Sequence, residues 1–391
     1  VGQSTRPRIT IVYGTRPEVI KLAPVIRAAR AYDDWEVQVL CSGQHRELAA
    51  SAAKEQEVAA AVELSVMREG QSLTALTARL LAALEPALAR FEPDWLVVQG
   101  DTATATAAAM AGAYRRVEVA HVEAGLRTGD RAAPFPEELN RLVIGRLASL
   151  HLAPTPGAAA ALRGEGVAAG AIVVTGNTVV DAMRWQLARL PADGSPPAGA
   201  GLEALAERAR SRRLILVTGH RRESFDGGLE AVCEGVAALA RAHPGVDFVY
   251  PVHPNPAVQA AVGGLLGGLE NVRLTAPVGY AAALWLLRQA YFVITDSGGL
   301  QEEAPELGKP ALVTRASTER PEALARGFAR LVGYDRELLV MAANTWLEDQ
   351  VAYAAACADQ NPFGDGLAAA RVVAALRGRL GMAAAEAPRW P

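Results

Sequence analysis

Residues 95–125 read WLVVQGDTATATAAAMAGAYRRVEVAHVEAG, and their order decides the fold. An apolar run of strand length closes on Gly100 and Asp101, a Thr/Ala-rich stretch of helical length follows, and a second apolar run closes on Glu123. Strand, helix and strand in that order make parallel strands joined by a crossover helix. The same alternation extends outward in both directions. ITIVYG, VQVLCSG, LHLAPT and IVVTGN complete a first series up to residue 177, and LILVTGH, DFVYPVH, VRLTAP, FVITDSG and PALVTR form a second. Two series predict two parallel sheets in an α/β chain, hence two Rossmann-like domains. Most runs end in Gly, Asp, His or Ser, which gathers polar groups at the carboxyl ends of strands, where open α/β sheets bind ligands.

The chain has 391 residues, more than one core of about 100–200 residues usually holds. The expected domains are residues 1–177 and 178–366 on either side of a cleft, with a helix at about 367–385 returning to the first domain. The Pro/Gly-rich PADGSPPAGAG, residues 191–201, reads as a surface loop just inside the second half. A net charge of -3 leaves no basic surplus and argues against nucleic acid as a partner. The first ten residues lack an apolar signal region, and TATATAAAMAGAY is too short to span a bilayer, so a cytoplasmic protein without a membrane partner is expected. Cys41, Cys233 and Cys357 are odd in number and far apart, which suggests neither a disulfide framework nor a thiolate metal site.

Several polar groups stand out at the strand ends. Arg16 and Lys21 in GTRPEVIKLAP flank the start of a helix, a setting that favours an anion, although a surface ion-pair network fits equally well. Asp101 either caps the following helix or faces the cleft. Glu123 follows the β-like HV, where a carboxylate is costly unless paired or in a cleft; His121 two residues earlier raises a metal reading that lacks a third ligand. Glu137 and Glu138 precede LNRLVIGRL and suit a first helical turn. His220, Arg221 and Arg222 emerge together after LILVTG as an anion-binding arrangement, while His253 between two prolines is as compatible with a rigid turn. Ser297, Gly298 and Gly299 allow backbone N–H groups to approach phosphate, and Glu302 or Glu303 on the next helix can hold ribose hydroxyls. Arg320 in TERPEA is a partner for phosphate or for those acids. Neither a Walker A loop nor a GxGxxG fingerprint is present. Together these groups predict acid/base chemistry on a nucleotide sugar.

The motifs GTRPEVIKLAPV, SGQHRE, GDTATA, HVEAGLRTGD, PFPEELNR, GNTVVDA, TGHRRESF, YPVHPNP, TDSGGLQEEAPELGKP and TERPEA, in this order over residues 14–322, resemble the non-hydrolysing UDP-N-acetylglucosamine 2-epimerases. The resemblance implies a GT-B-type fold, a homodimer, and interconversion of UDP-GlcNAc and UDP-ManNAc without metal or other cofactor. It also implies catalytic roles for Asp101, Glu123, Glu137 and His220, and UDP contacts from Arg16, Lys21, Arg221, Ser297, Gly298, Gly299, Glu303 and Arg320. Gln44 and His45 match part of the set through which some members are regulated by a second UDP-GlcNAc, but Glu47 and Gly70 depart from it. Val278, Ala283 and Phe328 depart from the family pattern as well. Alternatives of the same lineage are an epimerase of a modified UDP-amino sugar and a GT-B glycosyltransferase; a UDP-sugar sensor is the non-enzymatic one.

The chemistry can be reasoned separately. C2 of UDP-GlcNAc is not adjacent to a carbonyl, so its proton is acidified either by oxidation at C3 with NAD or by expulsion of UDP from C1. The missing dinucleotide fingerprint favours elimination, with Asp101 and Glu123 moving protons and Glu137 in support. His220 and its arginines then stabilise departing UDP.

Overall fold

The computed structural model describes residues 6–219, 227–357, 360–384 and 386–390. By compactness the chain divides into two units. One runs to Arg184 and resumes at Phe363, and the other is Trp185–Pro362. Each is a parallel sheet wound with helices, as the alternation of the sequence predicts.

In the first unit, β1 (Arg8–Tyr13), α1 (Arg16–Arg30), β2 (Glu36–Cys41), α2 (Arg46–Glu55) and β3 (Val62–Glu63) build one side of the sheet. The chain then crosses by α3 (Leu73–Phe91) to β4 (Trp95–Gln99), followed by α4 (Ala103–Tyr114), β5 (Glu118–Val122) and α5 (Glu137–Leu147). It finishes with β6 (Leu150–Ala153), α6 (Pro156–Gly164), β7 (Ile172–Val174) and most of α7 (Thr178–Leu187), whose last three residues are counted with the second unit. The strand order is β3-β2-β1-β4-β5-β6-β7, with every pairing parallel. Winding therefore reverses between β1 and β4.

The second unit repeats the plan. After α8 (Glu203–Ala209) come β8 (Arg213–Thr218), α9 (Gly228–Ala242), β9 (Val246–Pro251), α10 (Pro256–Leu266) and β10 (Val272–Thr275). The chain returns through α11 (Tyr280–Gln289) to β11 (Ala290–Thr295), α12 (Gly298–Glu303), β12 (Ala311–Val313), α13 (Pro321–Ala325) and β13 (Ala329–Leu331), then α14 (Arg336–Glu348) and α15 (Gln350–Ala356). The order β10-β9-β8-β11-β12-β13 reverses between β8 and β11. Ligands of open α/β sheets bind outside the carboxyl ends of strands at such reversals. Both reversals are flanked by residues singled out in the sequence: Arg16 and Asp101 in one unit, Ser297 in the other.

Two edge strands escape the sequence reading. β3 is two residues long, and β13 is Ala-Arg-Leu, so neither offers an apolar run to recognise. The central strands are legible because helices cover both faces; all five residues of β4 are buried. Alanines suit α4 for the same reason. It lies against α3, α5 and the sheet with eight buried residues from Thr104 to Gly112, and larger side chains would hold those layers apart.

The C-terminal helix α16 (Ala368–Arg379) belongs to the first unit and packs on α1. Arg377 forms a two-pronged ion pair with Asp34, 2.7 Å on each side, with its guanidinium over the Tyr32 ring. Asp181 of α7 accepts the first amides of α16, Ala368 N–H at 3.2 Å and Ala369 N–H at 2.8 Å. Among the described residues, no helix is long and apolar enough to cross a membrane.

Burial pushes the Asp181 carboxyl up to about 6, against the amide bonds that pull it down. A carboxyl raised in the native state binds its proton more tightly there than in the unfolded chain. Its contribution is therefore fully present below the unfolded value and is lost as pH rises through about 6. Denaturation of wild type and Asp181→Asn at pH 4 and pH 7 should show the wild type losing on the order of 2 kcal/mol more than the variant over that interval. Equal losses would show that Asp181 titrates as it does in the unfolded chain.

Candidate active site

The site of the first unit begins where β1 stops. Thr15 caps α1 and forms a capping box with Glu18, while Pro17 fits the first turn, where its missing N–H is not needed. Gly14 is required by close approach: a Cβ there would lie 2.2 Å from both Ser42 Oγ and Thr104 Oγ1. Arg16 is half-buried at the first helical position, and Lys21 is buried one turn further on. Gln44 and His45 sit against the same region. Gln44 Oε1 accepts from Thr104 Oγ1 at 2.7 Å, and the His45 N–H donates to the Gly14 carbonyl at 2.7 Å.

Beyond β4, Gly100 turns the chain with φ 69° and presents Asp101. Asp101 does not supply the helix cap that competed for it in the sequence; Thr102 does, its hydroxyl accepting the Ala105 N–H at 3.0 Å. The Asp101 carboxylate instead meets the buried Arg141 guanidinium through Oδ2, with its side chain 24% exposed. Asn140 Nδ2 donates to the Asp101 carbonyl at 2.8 Å, so α5 grips this turn by both backbone and side chain.

Strand β5 ends at Val122, one residue short of the β-like run read from sequence, because Glu123 adopts φ 66° in the left-handed region. Such a conformation is unusual for Glu and re-aims its side chain. The carboxylate is buried, with Oε2 2.7 Å from Lys21 Nζ and also accepting from Gln99 Nε2. Lys21, expected among the UDP contacts, thus has its ammonium on Glu123. His121 makes no metal set with Glu123. Its Nε2 is 2.7 Å from the Gly100 carbonyl, and burial pushes the imidazole down to about 3, so the neutral ring donates there and braces the Asp101 turn. Among the described residues no group of three His, Cys, Asp or Glu side chains is arranged to hold a metal ion.

Glu137 opens α5 and is half-buried. Its neighbour Glu138 is fully buried and structural: Oε1 accepts the Thr128 and Gly129 amides at 3.2 and 3.1 Å, and Oε2 lies 3.3 Å from Arg141. The sequence reading missed Arg141, Gln99 and the buried role of Glu138. The available signal for Arg141 was its spacing, three and four residues after the paired acids of PFPEELNR, which places it on their face of the helix.

In the second unit, Ser297 caps α12, with its hydroxyl 3.5 Å from the Leu300 N–H. Gly298 is demanded by Arg320: a Cβ at Gly298 would fall 2.6 Å from that guanidinium. Arg320 is buried and engaged with the acids, Nε on Glu302 at 2.9 Å and Nη1 near Glu319 at 3.1 Å. Of the two uses the sequence left open for Arg320, its described bonds are with the acids. Glu303 Oε1 accepts from the Tyr280 hydroxyl at 2.8 Å. Gly299 occupies the second position of α12. His220 and Arg221 lie outside the described residues, and His253 is an exposed turn residue whose Nδ1 accepts the Asn255 N–H at 3.2 Å.

The expected catalytic and UDP-contact residues that the structure describes thus fall into two groups, one in each unit. Arg16, Lys21, Asp101, Glu123 and Glu137 lie in the first unit, and Ser297, Gly298, Gly299, Glu303 and Arg320 in the second.

Comparison with known proteins agrees over nearly the whole chain. The family model described as UDP-N-acetylglucosamine 2-epimerase matches residues 27–377. The UDP-N-acetylglucosamine 2-epimerase of Yersinia pestis is 45% identical over 371 residues, covering 95% of this chain and 98% of that protein. Among solved structures, UDP-GlcNAc 2-epimerase from Neisseria meningitidis bound to UDP-GlcNAc superposes with a TM-score of 0.89 at 34% identity, covering 95% of this chain and 100% of that one. The S. aureus MnaA co-structure with UDP gives a TM-score of 0.91 at 35% identity, over 98% and 99% of the two chains. With two parallel α/β units of matching topology and a family match that spans both, the chain belongs to the UDP-N-acetylglucosamine 2-epimerase family.

Proposed function

We propose that the protein interconverts UDP-GlcNAc and UDP-ManNAc by eliminating UDP and adding it back. The observation that carries this reading is the pair of carboxylates at the ends of adjacent strands β4 and β5, each held by a different buried cation: Asp101 by Arg141 and Glu123 by Lys21. Inversion at C2 needs one group to take a proton from one face and another to deliver a proton to the opposite face. Two separately held acids suit that task.

In the forward direction one carboxylate takes the C2 proton while the C1–oxygen bond breaks. The C2–H electron pair becomes the C1–C2 double bond of a 2-acetamidoglucal, and the C1–oxygen pair leaves with UDP. The return step reverses the flow: a UDP phosphate oxygen attacks C1, and the second acid gives its proton to the other face of C2. Glu137 supports the pair from the start of α5. His220 and Arg221 are assigned to the negative charge that grows on departing UDP.

The nucleotide is assigned to the turn at Ser297, Gly298 and Gly299, where backbone amides approach phosphate and Glu303 takes ribose hydroxyls. Support comes from the Arg320 guanidinium beneath Gly298, which leaves no room for a larger residue. Arg320 itself is then best read as the support of this turn. Removing it would take from the buried Glu302 its guanidinium at 2.9 Å, a loss of the kind that costs about 3–5 kcal/mol, while Glu319 would keep Arg315 at 2.7 Å.

Purified protein incubated with UDP-GlcNAc in D2O should yield UDP-ManNAc carrying deuterium at C2, read by proton NMR. The proton taken by one carboxylate exchanges with solvent before a different group reprotonates the carbon. Product with protium retained at C2 would rule out two-group transfer, and failure to form UDP-ManNAc would refute the activity.

Asp101→Asn and Glu123→Gln should each lower kcat by about 10² to 10⁴, with UDP affinity little changed in calorimetry. Near wild-type turnover in either variant would reduce that residue to a packing role.

Ser297→Ala and Glu303→Gln should instead raise KM and weaken UDP binding by roughly tenfold while sparing kcat, as loss of uniform binding does. Unchanged UDP affinity in both would remove the nucleotide from this turn.

A further inference from the structure

Glu18 is a buried carboxylate for which the sequence reading assigned no role. It lies on the first turn of α1 and is 1% exposed. Its Oε2 accepts the Gly14 N–H at 2.9 Å, the Thr15 N–H at 2.8 Å and the Thr15 hydroxyl at 2.8 Å. A capping box needs no more than this one oxygen. The other oxygen, Oε1, reaches across the sheet reversal to the Thr102 hydroxyl. Thr102 directly follows Asp101 and caps α4. One side chain therefore joins the β1–α1 turn, which leads into the helix carrying Arg16 and Lys21, to the β4–α4 turn, which carries Asp101.

We propose that Glu18 is a positioning residue: through Thr102 it fixes the Asp101 turn against the β1–α1 turn, and so sets the carboxylate of Asp101 for proton transfer. The inference rests on the catalytic role proposed for Asp101. Without the Glu18 bond, the turn keeps the Arg141 and Asn140 bonds from α5, the His121 brace on Gly100 and the bond from the Gly100 N–H to the Val122 carbonyl at 3.0 Å. These reach Asp101 and Gly100; among the described residues a hydrogen-bonded route to the β1–α1 turn remains but is indirect, from Thr104 to Gln44 and from the His45 N–H to the Gly14 carbonyl.

The tie tolerates either protonation state. Burial pushes the Glu18 carboxyl up to about 7, against four hydrogen bonds that pull it down. Oε2 already meets three donors, so a proton resides on Oε1, where it points at Thr102 Oγ1. The bond then keeps its place with donor and acceptor exchanged. A glutamine reproduces this form, its carbonyl taking the three donors and its amide donating to Thr102, whereas alanine removes the tie.

The test is a kinetic cycle on the full chain with UDP-GlcNAc. Glu18→Ala is expected to lower kcat by about 10- to 100-fold, the scale of a displaced catalytic group, with UDP bound at full stoichiometry and unchanged affinity. Glu18→Gln should recover most of that loss. In an Asp101→Asn background, Glu18→Ala should cost nothing further, because the residue acts through Asp101. A second pair guards against loss of folding: Thr102→Ser keeps both hydroxyl bonds and should retain turnover, and Thr102→Val should lose it with UDP binding intact.

Wild-type kcat in Glu18→Ala, or a full additional loss in the double variant, would overturn the positioning role while leaving the Asp101 assignment standing. Wild-type turnover in Asp101→Asn alone would overturn that assignment, and the inference with it.

Discussion

A carboxylate withdrawn from water at the end of a strand is unstable unless a cation or a set of N–H and O–H donors meets it, and both units are organised around that constraint. In the first unit Glu123 is met by Lys21 and Gln99, Glu138 by two loop amides and Arg141, Asp101 by Arg141, and Glu18 by two amides and two hydroxyls. In the second, Glu302 and Glu319 are met by Arg320 and Arg315, and Glu303 by Tyr280. Lys21 and Gln99 on Glu123, Arg141 on Asp101, Thr102 on Glu18, Arg320 on Glu302 and Tyr280 on Glu303 each come from a different segment of the chain. Meeting the charges therefore fixes the turns, and fixed turns are what a reaction needs when protons must be exchanged on both faces of one carbon.

The glycines and the left-handed residue follow from the same crowding. Gly14 yields to Ser42 and Thr104, and Gly298 yields to the guanidinium that serves the second set of acids. Glu123 bears a positive φ because the chain must turn at once after β5, and the Lys21 pairing holds the side chain where that turn sends it. Strained backbone of this kind costs about 1–3 kcal/mol and persists only where its surroundings over-determine it.

Much of this was legible in the sequence, and the rest was not for identifiable reasons. The βα alternation carried the fold because strands covered on both faces must be continuously apolar, and Asp101, Glu123 and Ser297 were visible as polar groups closing such runs. Edge strands β3 and β13 are too short to show any period. The partners were hidden in a different way. Arg141 and Gln99 are ordinary residues for a helix and a strand end, and only the pairing of distant segments reveals what they hold. Glu18 was masked by its own local role, since a glutamate three residues after a threonine is fully accounted for by a helix cap until its second oxygen is traced to Thr102.

The central claim is that the C1–oxygen bond breaks and re-forms during epimerisation. Positional isotope exchange tests it most directly: UDP-GlcNAc labelled with heavy oxygen in the bridge between C1 and the β-phosphorus is incubated with the enzyme, and phosphorus NMR follows the label. Elimination frees the β-phosphate to rotate before it adds back, so the label should scramble into the nonbridging positions in both recovered substrate and UDP-ManNAc. UDP-ManNAc formed with the label wholly retained in the bridge would contradict elimination and require inversion at C2 with UDP still attached.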